Sequence, residues 1–368
     1  MSLPESIVDL TPQAEELTTS YSQRVADNLE VFLAAKSAEV GQIASSAVAL
    51  VDAIKDLTGG GKKLRPAFAF WGFIGAGGQP ENEDIVKVGV ALELFQAAAL
   101  IHDDLIDRSD TRRGKPSVHK RFEAQHRELK LDGDAQHYGG ASAILAGDLC
   151  LSLSEEVFAS VESAGASART IFNQMRTQVM AGQYLDILEE SAGSSYDPEE
   201  AVRRARNIVR YKSAKYSTEN PFLLGGALAG ADEELLSSYR AFALPLGEAF
   251  QLRDDVLGVF GDPSITGKPS GDDLREGKRT ELIAHAMLLA DDASKQLISA
   301  RLGAPDLTPN EVKKISAILE RCGALAKTES NIAELTSDAL AALEKIPANE
   351  LALAGMSFLS DAVTKRNK

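Results

Sequence analysis

A short acidic run, His102-Asp103-Asp104-Leu105-Ile106-Asp107, carries the sharpest chemistry in the sequence. Asp103 and Asp107 are four residues apart, so on a helix they share one face, about a turn from each other. With Asp104 beside them, these carboxylates repel unless a cation lies among them. Hard oxygen donors without clustered Cys or His select Mg2+ or Mn2+ over zinc. The competing reading is a solvated acidic helix end. Position argues against it, because the acids follow the apolar run Val88–Ile101, which belongs in a core.

A second acidic pair, Asp254-Asp255, follows Phe250-Gln251-Leu252-Arg253 and likewise ends an apolar helical run, Tyr239–Phe250. Two such helices packed face to face would place all these carboxylates around one cavity, as helical bundles commonly do. Mg2+ takes one or two protein carboxylates and completes its shell with water and phosphate. The pattern therefore points to a phosphorylated substrate bridged by metal.

Local cations complement the acids. Gly61-Lys62-Lys63-Leu64-Arg65-Pro66 joins a Gly-rich loop to a helix start, a natural anion site, although the glycines could merely cap a helix. Arg112-Arg113 follow the first acidic motif, and Lys212, Lys268 and Lys278-Arg279 lie near other loops. Each alone could be an ordinary surface charge.

The elements that must position these groups are helical. Ala/Leu/Glu/Lys-rich stretches repeat apolar residues at three and four spacing, and strand signals are nearly absent. Asp197-Pro198-Glu199-Glu200 and Thr308-Pro309-Asn310-Glu311 read as helix starts. Periodicity predicts about 12 helices, near 21–57, 64–76, 83–108, 139–163, 167–191, 198–211, 213–230, 232–259, 279–302, 309–322, 325–345 and 348–365. Between them, residues 109–138, Ala192–Tyr196 and 261–278 read as loops. The fold class is all-α: one large helical bundle around a central cavity over residues 21–368, with residues 1–20 a possible loose tail.

The chain has 368 residues, 39 Lys plus Arg and 54 Asp plus Glu, for a net charge of −15. At 44% hydrophobic and 25% charged it is of ordinary globular composition. The acidic balance argues against nucleic acid as a partner. Two cysteines, Cys150 and Cys322, make no disulfide framework and fit a cytoplasmic protein. No export signal is expected at Met1-Ser2-Leu3-Pro4-Glu5. No transmembrane segment is expected either, since the most apolar window, Val86–Ile101, is interrupted by Lys87 and Glu93.

Taken in order, GGGKKLRP at 59–66, LELFQAAALIHDDLIDRSDTRRGKPSVH at 92–119, GQYLD at 182–186, YKSA at 211–214 and FQLRDDVLGVFGDPSITGKPSGDDLREGKRT at 250–280 resemble the trans-isoprenyl diphosphate synthases, or polyprenyl synthetases. The resemblance implies the isoprenoid synthase type I fold and a head-to-tail prenyl transfer. An allylic diphosphate ionises, the double bond of isopentenyl diphosphate attacks the cation, and a proton is lost. It further implies three Mg2+ ions, with Asp103 and Asp107 ligating two, Asp254 the third, and Asp104 and Asp255 supporting the shell. Arg112, Lys212, Lys268 and Lys278 would hold the allylic diphosphate. Lys62, Arg65, Gln96 and Arg113 would hold isopentenyl diphosphate. Ser213 and Gln251 resemble the polar groups that steady the carbocation. The terminal Lys365-Arg366-Asn367-Lys368 resembles a tail that closes over the site in relatives. Relatives are homodimers. Gly258 stands where many relatives carry a third Asp, and Gln96 where many carry His.

The helix before Asp103 doubles as a ruler. Gln96, Ala99 and Leu92 fall within about 40° of the Asp103 face. In the family, product length is read at positions occupied here by Ala99, Ala98, Phe95 and Leu92. Two alanines cannot close a tunnel, so Phe95, about 12 Å along the axis, is the first bulky floor and Leu92, at about 16.5 Å, the next. A product longer than C15 is expected, C20 geranylgeranyl diphosphate in particular, with C25 or longer the alternative. Tight helix packing is the other explanation for the alanines. Two further functions compete. A class I terpene cyclase would not need Lys62, Arg65 and Arg113. A non-catalytic subunit of a heteromeric synthase would tend to lose the acidic motifs kept here.

Overall fold

A computed structural model describes residues 4–192, 198–262 and 271–364. The chain is built of helices: α1 Glu5–Val8, α2 Thr11–Ile43, α3 Val48–Thr58, α4 Leu64–Gly75, α5 Glu83–Ile106, α6 Val118–Glu128, α7 Ala135–Ala159, α8 Ala166–Ala192, α9 Pro198–Ile208, α10 Asn220–Leu228, α11 Glu233–Phe260, α12 Asp272–Glu276, α13 Glu281–Leu289, α14 Asp292–Arg301, α15 Pro309–Arg321, α16 Ala324–Leu343 and α17 Glu350–Thr364. Among the described residues the only strands are Thr111–Arg112 and Lys115–Pro116, paired antiparallel in a two-stranded hairpin.

The all-α expectation holds, with more and shorter helices than periodicity suggested. The stretch expected as one helix over 21–57 breaks at Ala44, whose backbone is extended (φ −162°). The stretch over 279–302 breaks where the Asp291 side chain accepts from the Ser294 N–H at 2.8 Å and caps a new helix. Thr308 and Glu311 form the expected capping box at the start of α15. Within the stretch 1–20, expected as a possible loose tail, residues 5–8 and 11–20 are helical. Ile7 and Ala14 are buried in the main core, and Ser6 reaches Glu350 at the start of α17. The polar stretch 109–138 contains the hairpin and α6 rather than loop alone.

α5 runs through the middle of the molecule. Asn82 caps its start, and residues on all its sides are buried, from Ile85 and Val88 to Ala97 and Ile101. It is the one described helix long and apolar enough to cross a membrane, and 67% of that apolar window is buried by neighbouring helices. Its apolarity is that of a core helix. One large core joins α2, α4, α5, α7, α8, α10, α11 and α17, and a smaller one forms where α13, α15 and α16 close over Val259 and Leu274. The apolar middle of α5 carries the acidic stretch Asp103–Asp107 at its C-terminal end.

Between α9 and α10 the chain winds as a π-helix, Val209–Glu219. Such wide turns are rare and concentrate at functional sites. This one is gripped from both sides: a Cβ at Gly182 of α8 would lie 2.4 Å from the Lys212 nitrogen, and one at Gly247 of α11 would lie 2.1 Å from Thr218 Oγ1. Any larger residue at either glycine would push the helices apart.

Candidate active site

A cavity of about 960 Å3 opens where α5, α8, the π-helical segment and α11 converge. Of the residues singled out by sequence, Lys62, Arg65, Gln96, Ala99, Asp103, Arg112 and Arg113 line it. So do Lys212, Ser213, Gln251, Asp254, Asp255 and Lys278. Residues more than 200 positions apart thus meet at one surface. Lys268 and the Lys365–Lys368 tail lie outside the described residues.

Lys278 links the first acidic motif to α12. Its Nζ is 3.5 Å from Asp107 Oδ2 and 4.0 Å from Asp273 Oδ1 of α12, and it also pairs with Glu276. A second lysine sits deeper. Lys212 Nζ is 3.4 Å from Asp103 Oδ1 and hydrogen-bonds Asp186 of α8, while Gln183, one turn earlier, donates to Asp103 at 3.1 Å. Burial opposes the charge on both lysines, but the surrounding carboxylates outweigh it and hold both firmly protonated.

Asp104 is turned toward the hairpin. It is 1% exposed, and Arg112 donates to its Oδ1 through Nε at 2.8 Å and again through Nη2. It therefore anchors a cation and does not line the cavity. The hairpin delivers that cation: Arg113 and Gly114 both have positive φ (54° and 73°), making the tight turn that twisted hairpins favour. Arg112 on the strand then points to the acids, while the Arg113 guanidinium lies over the Gly-rich loop, where a Cβ on Gly61 would meet it at 2.7 Å.

The carboxylates carry an unresolved charge problem. Burial, and then the neighbouring Asp103 charge, push Asp107 up to about 6. Asp255 is raised well above its ordinary range by burial and by Asp273. Burial also acts against Asp103, but Lys212, Lys278 and Arg112 outweigh it and hold that carboxyl low. Glu190, one turn past Asp186, is raised to about 7 by burial and by Asp186 and Asp107.

The lysine-rich loop sorts two adjacent cations. Lys63 adopts a left-handed backbone (φ 47°) and turns inward to pair with Glu93 at 3.2 Å. Lys62 has no such partner among the described residues, and both lysines line the cavity. Arg65 stacks its guanidinium 4.3 Å above the Tyr216 ring and donates to Ser217 Oγ at 2.7 Å. Its Nε is buried and has no partner among the described residues, as is true of Arg279 Nε. Tyr216 donates to Gln96 at 2.6 Å and meets Phe95 edge-on at 5.6 Å.

At the apolar end the cavity is walled by Phe68, Ala99, Leu100 and Val179. Of the four expected length-setting residues only Ala99 lines it. Leu92, Phe95 and Ala98 are fully packed (0%, 1% and 0% exposed), with Phe95 backing Tyr216.

The donor set fits divalent magnesium. It is all oxygen, its carboxylates are crowded and buried, and unpartnered Arg65 and Arg279 nitrogens await an anion. Among the described residues no three His, Cys, Asp or Glu side chains form a ready metal cage. That suits an ion whose shell is completed by water and phosphate.

Sequence reasoning missed Gln183, Asp186, Tyr216, Ser217, Asp273 and Glu276. The i, i+3 spacing of Gln183 and Asp186 within GQYLD was the available signal. No comparable signal marks Tyr216, whose direction depends on the π-helical turn.

A family model described as polyprenyl synthetase matches residues 48–319. The chain is 31% identical over 295 residues to geranylfarnesyl diphosphate synthase of Aeropyrum pernix, covering 78% of this chain and 85% of that one. It is 32% identical over 268 residues to (2E,6E)-farnesyl diphosphate synthase of Mycobacterium tuberculosis, covering 72% and 67%. Among solved structures it is similar to geranylgeranyl pyrophosphate synthase from Corynebacterium glutamicum, complexed with isoprenyl diphosphate and magnesium. That match has TM-score 0.89 and 36% identity, and covers 94% of this chain and 99% of the other.

Proposed function

The chain belongs to the polyprenyl synthetase family, and from that membership we propose that it joins isopentenyl diphosphate to an allylic diphosphate, making a trans-polyprenyl diphosphate longer than C15, with C20 geranylgeranyl diphosphate favoured over C25. The observation that carries the reading is the pairing of two acidic helix ends with two separate sets of cations in one cavity. One set, Lys62, Arg65 and Arg113 with Gln96, suits the diphosphate of the non-ionising substrate. The other, Arg112, Lys212 and Lys278, stands among the carboxylates, where the allylic diphosphate must leave; Lys268 would join it. A terpene cyclase would have no use for the first set.

Mg2+, three ions by family likeness and with Mn2+ an alternative, would be held by Asp103, Asp107 and Asp254 near Asp255, and would neutralise charge growing on the leaving group. The chain's own residues do the rest. Lys212 and Arg112 are fixed by Asp186 and Asp104, so their charges need no reorganisation when the C1–O bond of the allylic substrate breaks. Gln251, oriented by its amide hydrogen bond to Asp255 at 2.8 Å, and Ser213 offer oxygens to the carbocation. The isopentenyl double bond forms the new C–C bond, and the released diphosphate takes the proton lost from C2. Phe68, Ala99, Leu100 and Val179 supply an apolar wall for the hydrocarbon tail.

A homodimer in the cytoplasm completes the proposal. Ile144 and Leu145 on α7 and Tyr184 on α8 are 48%, 58% and 64% exposed, apolar side chains that a second copy would cover. The deciding assay supplies labelled isopentenyl diphosphate with dimethylallyl, geranyl or farnesyl diphosphate, with and without Mg2+. Chain growth by the purified protein alone supports the synthase. Cyclised hydrocarbon formed without isopentenyl diphosphate, or no turnover at all, refutes it.

A further inference from the structure

Glu93 is the one carboxylate on α5 between Asp84 and Asp103, in the apolar middle of the helix. Burying a carboxylate there is unfavourable unless it is paired. Its partner is Lys63, whose Nζ donates to Glu93 Oε2 at 3.2 Å, and both side chains are only 10% exposed. The same Nζ lies 3.5 Å from the carbonyl of Thr58, the last residue of α3, and the end of a helix favours a cation. Lys63 also immediately precedes α4, with a left-handed backbone (φ 47°). A residue with a Cβ rarely keeps that conformation unless its surroundings hold it there. One side chain thus ties α3, α5 and the start of α4 together.

The tie matters because the loop has few others. Gly59, Gly60 and Gly61 precede it, the residue type with most backbone freedom to lose. A second cavity, of about 820 Å3, opens between the loop, α2 and α17, and Gly61, Lys62, Lys63 and Leu64 line both cavities. The loop is therefore a wall between two open spaces. Leu64 packs on the main core and the Arg113 guanidinium lies over Gly61, but Arg113 is itself assigned to the substrate.

We propose that Glu93 is a positioning residue for isopentenyl diphosphate: through Lys63 it fixes the loop from which Lys62 and Arg65 reach the anion. The inference rests on the assignment of Lys62, Arg65 and Arg113 to that diphosphate. Charge and position predict opposite results when Glu93 is removed. Glu93 lines the cavity, so by Coulomb's law alone its loss favours a bound anion. Acting as a tether, its loss disfavours the anion, because binding must then order two long side chains.

Calorimetry measures Kd for isopentenyl diphosphate alone, and for inorganic pyrophosphate with Mg2+ as the stand-in for the allylic diphosphate. Melting curves check folding. Glu93→Leu should raise the isopentenyl diphosphate Kd on the order of tenfold and leave the Mg2+-dependent pyrophosphate Kd unchanged. Glu93→Gln, which keeps an acceptor for Lys63, should raise it only about two- to threefold. An unchanged or lowered Kd in Glu93→Leu overturns the proposal, as does an equal rise for both ligands. Arg65→Leu is the control. If it abolishes isopentenyl diphosphate binding while Glu93→Leu does not weaken it, only this inference falls. If Arg65→Leu binds normally, or the unaltered protein does not bind, the assignment of the site falls as well. Should Glu93→Leu melt below the assay temperature, the direction of the change in Glu93→Gln decides.

Discussion

The Tyr216 hydroxyl donates to Oε1 of Gln96 at 2.6 Å, while the face of the same ring carries the Arg65 guanidinium. One buried side chain thus orients two groups assigned to isopentenyl diphosphate. Tyr216→Phe keeps the ring under Arg65 and removes only the hydrogen bond, worth about 0.5–1.5 kcal/mol. The KM for isopentenyl diphosphate should rise roughly two- to tenfold, with kcat and the KM for the allylic substrate little changed. A kcat loss at constant KM would contradict this positioning role.

Asp107 places a cost on the metal-free protein. Its carboxyl is raised from the usual value near 4 to about 6. Its contribution to folding is therefore full below pH 4 and falls as pH climbs through 6. Asp107→Asn removes that buried charge and should stabilise the metal-free protein at pH 7.5 by on the order of 1–3 kcal/mol, while abolishing turnover. Melting in EDTA at pH 7.5 and again at pH 4.5 measures it. The gain should shrink at the lower pH, and a lower melting temperature for the variant at pH 7.5 would refute the account.

Asp104 acts through Arg112. Asp104→Ala leaves a largely buried guanidinium without its partner and should destabilise by about 3–5 kcal/mol. Asp104→Asn, which keeps an acceptor, is the milder probe. It should raise the KM for the allylic diphosphate at least severalfold, yet leave the Mg2+ concentration for half-maximal activity unchanged. A shifted Mg2+ requirement would return Asp104 to the metal shell.

Chain length should respond unequally at the two alanines. Ala99 lines the cavity, so Ala99→Phe should shorten the product toward C15. Ala98 is wholly packed against neighbouring helices, and Ala98→Phe should instead cost about 1–3 kcal/mol in overpacking. Chromatography of dephosphorylated products, beside melting curves, separates the two effects. Equal shortening by both variants would place the tunnel on the Ala98 side of α5.

Much of this was legible in the sequence because periodicity and spacing are local. The apolar run before Asp103 predicts a buried helix, and α5 is one. The partners of each charge were not legible. Lys62 and Lys63 are adjacent and chemically identical in the sequence, yet the left-handed turn at Lys63 sends one inward to Glu93. Asp104 resembles its neighbours Asp103 and Asp107 until the hairpin brings Arg112 onto it. Helix breaks at Ala44 and Asp291 interrupt runs whose composition alone favours continuation.

The wide coil at Val209–Glu219 has a consequence for how this gene can change. Lys212 must face Asp103 and Asp186, while Ser217 must face Arg65. Both contacts are made from within the wide coil. Removing one residue would tighten the segment toward an ordinary α-helix and change the angle between the Lys212 and Ser217 side chains by on the order of 100°. Point substitutions here trade away single contacts. A one-codon deletion would scramble both diphosphate sites at once, so the segment's length is as constrained as its composition.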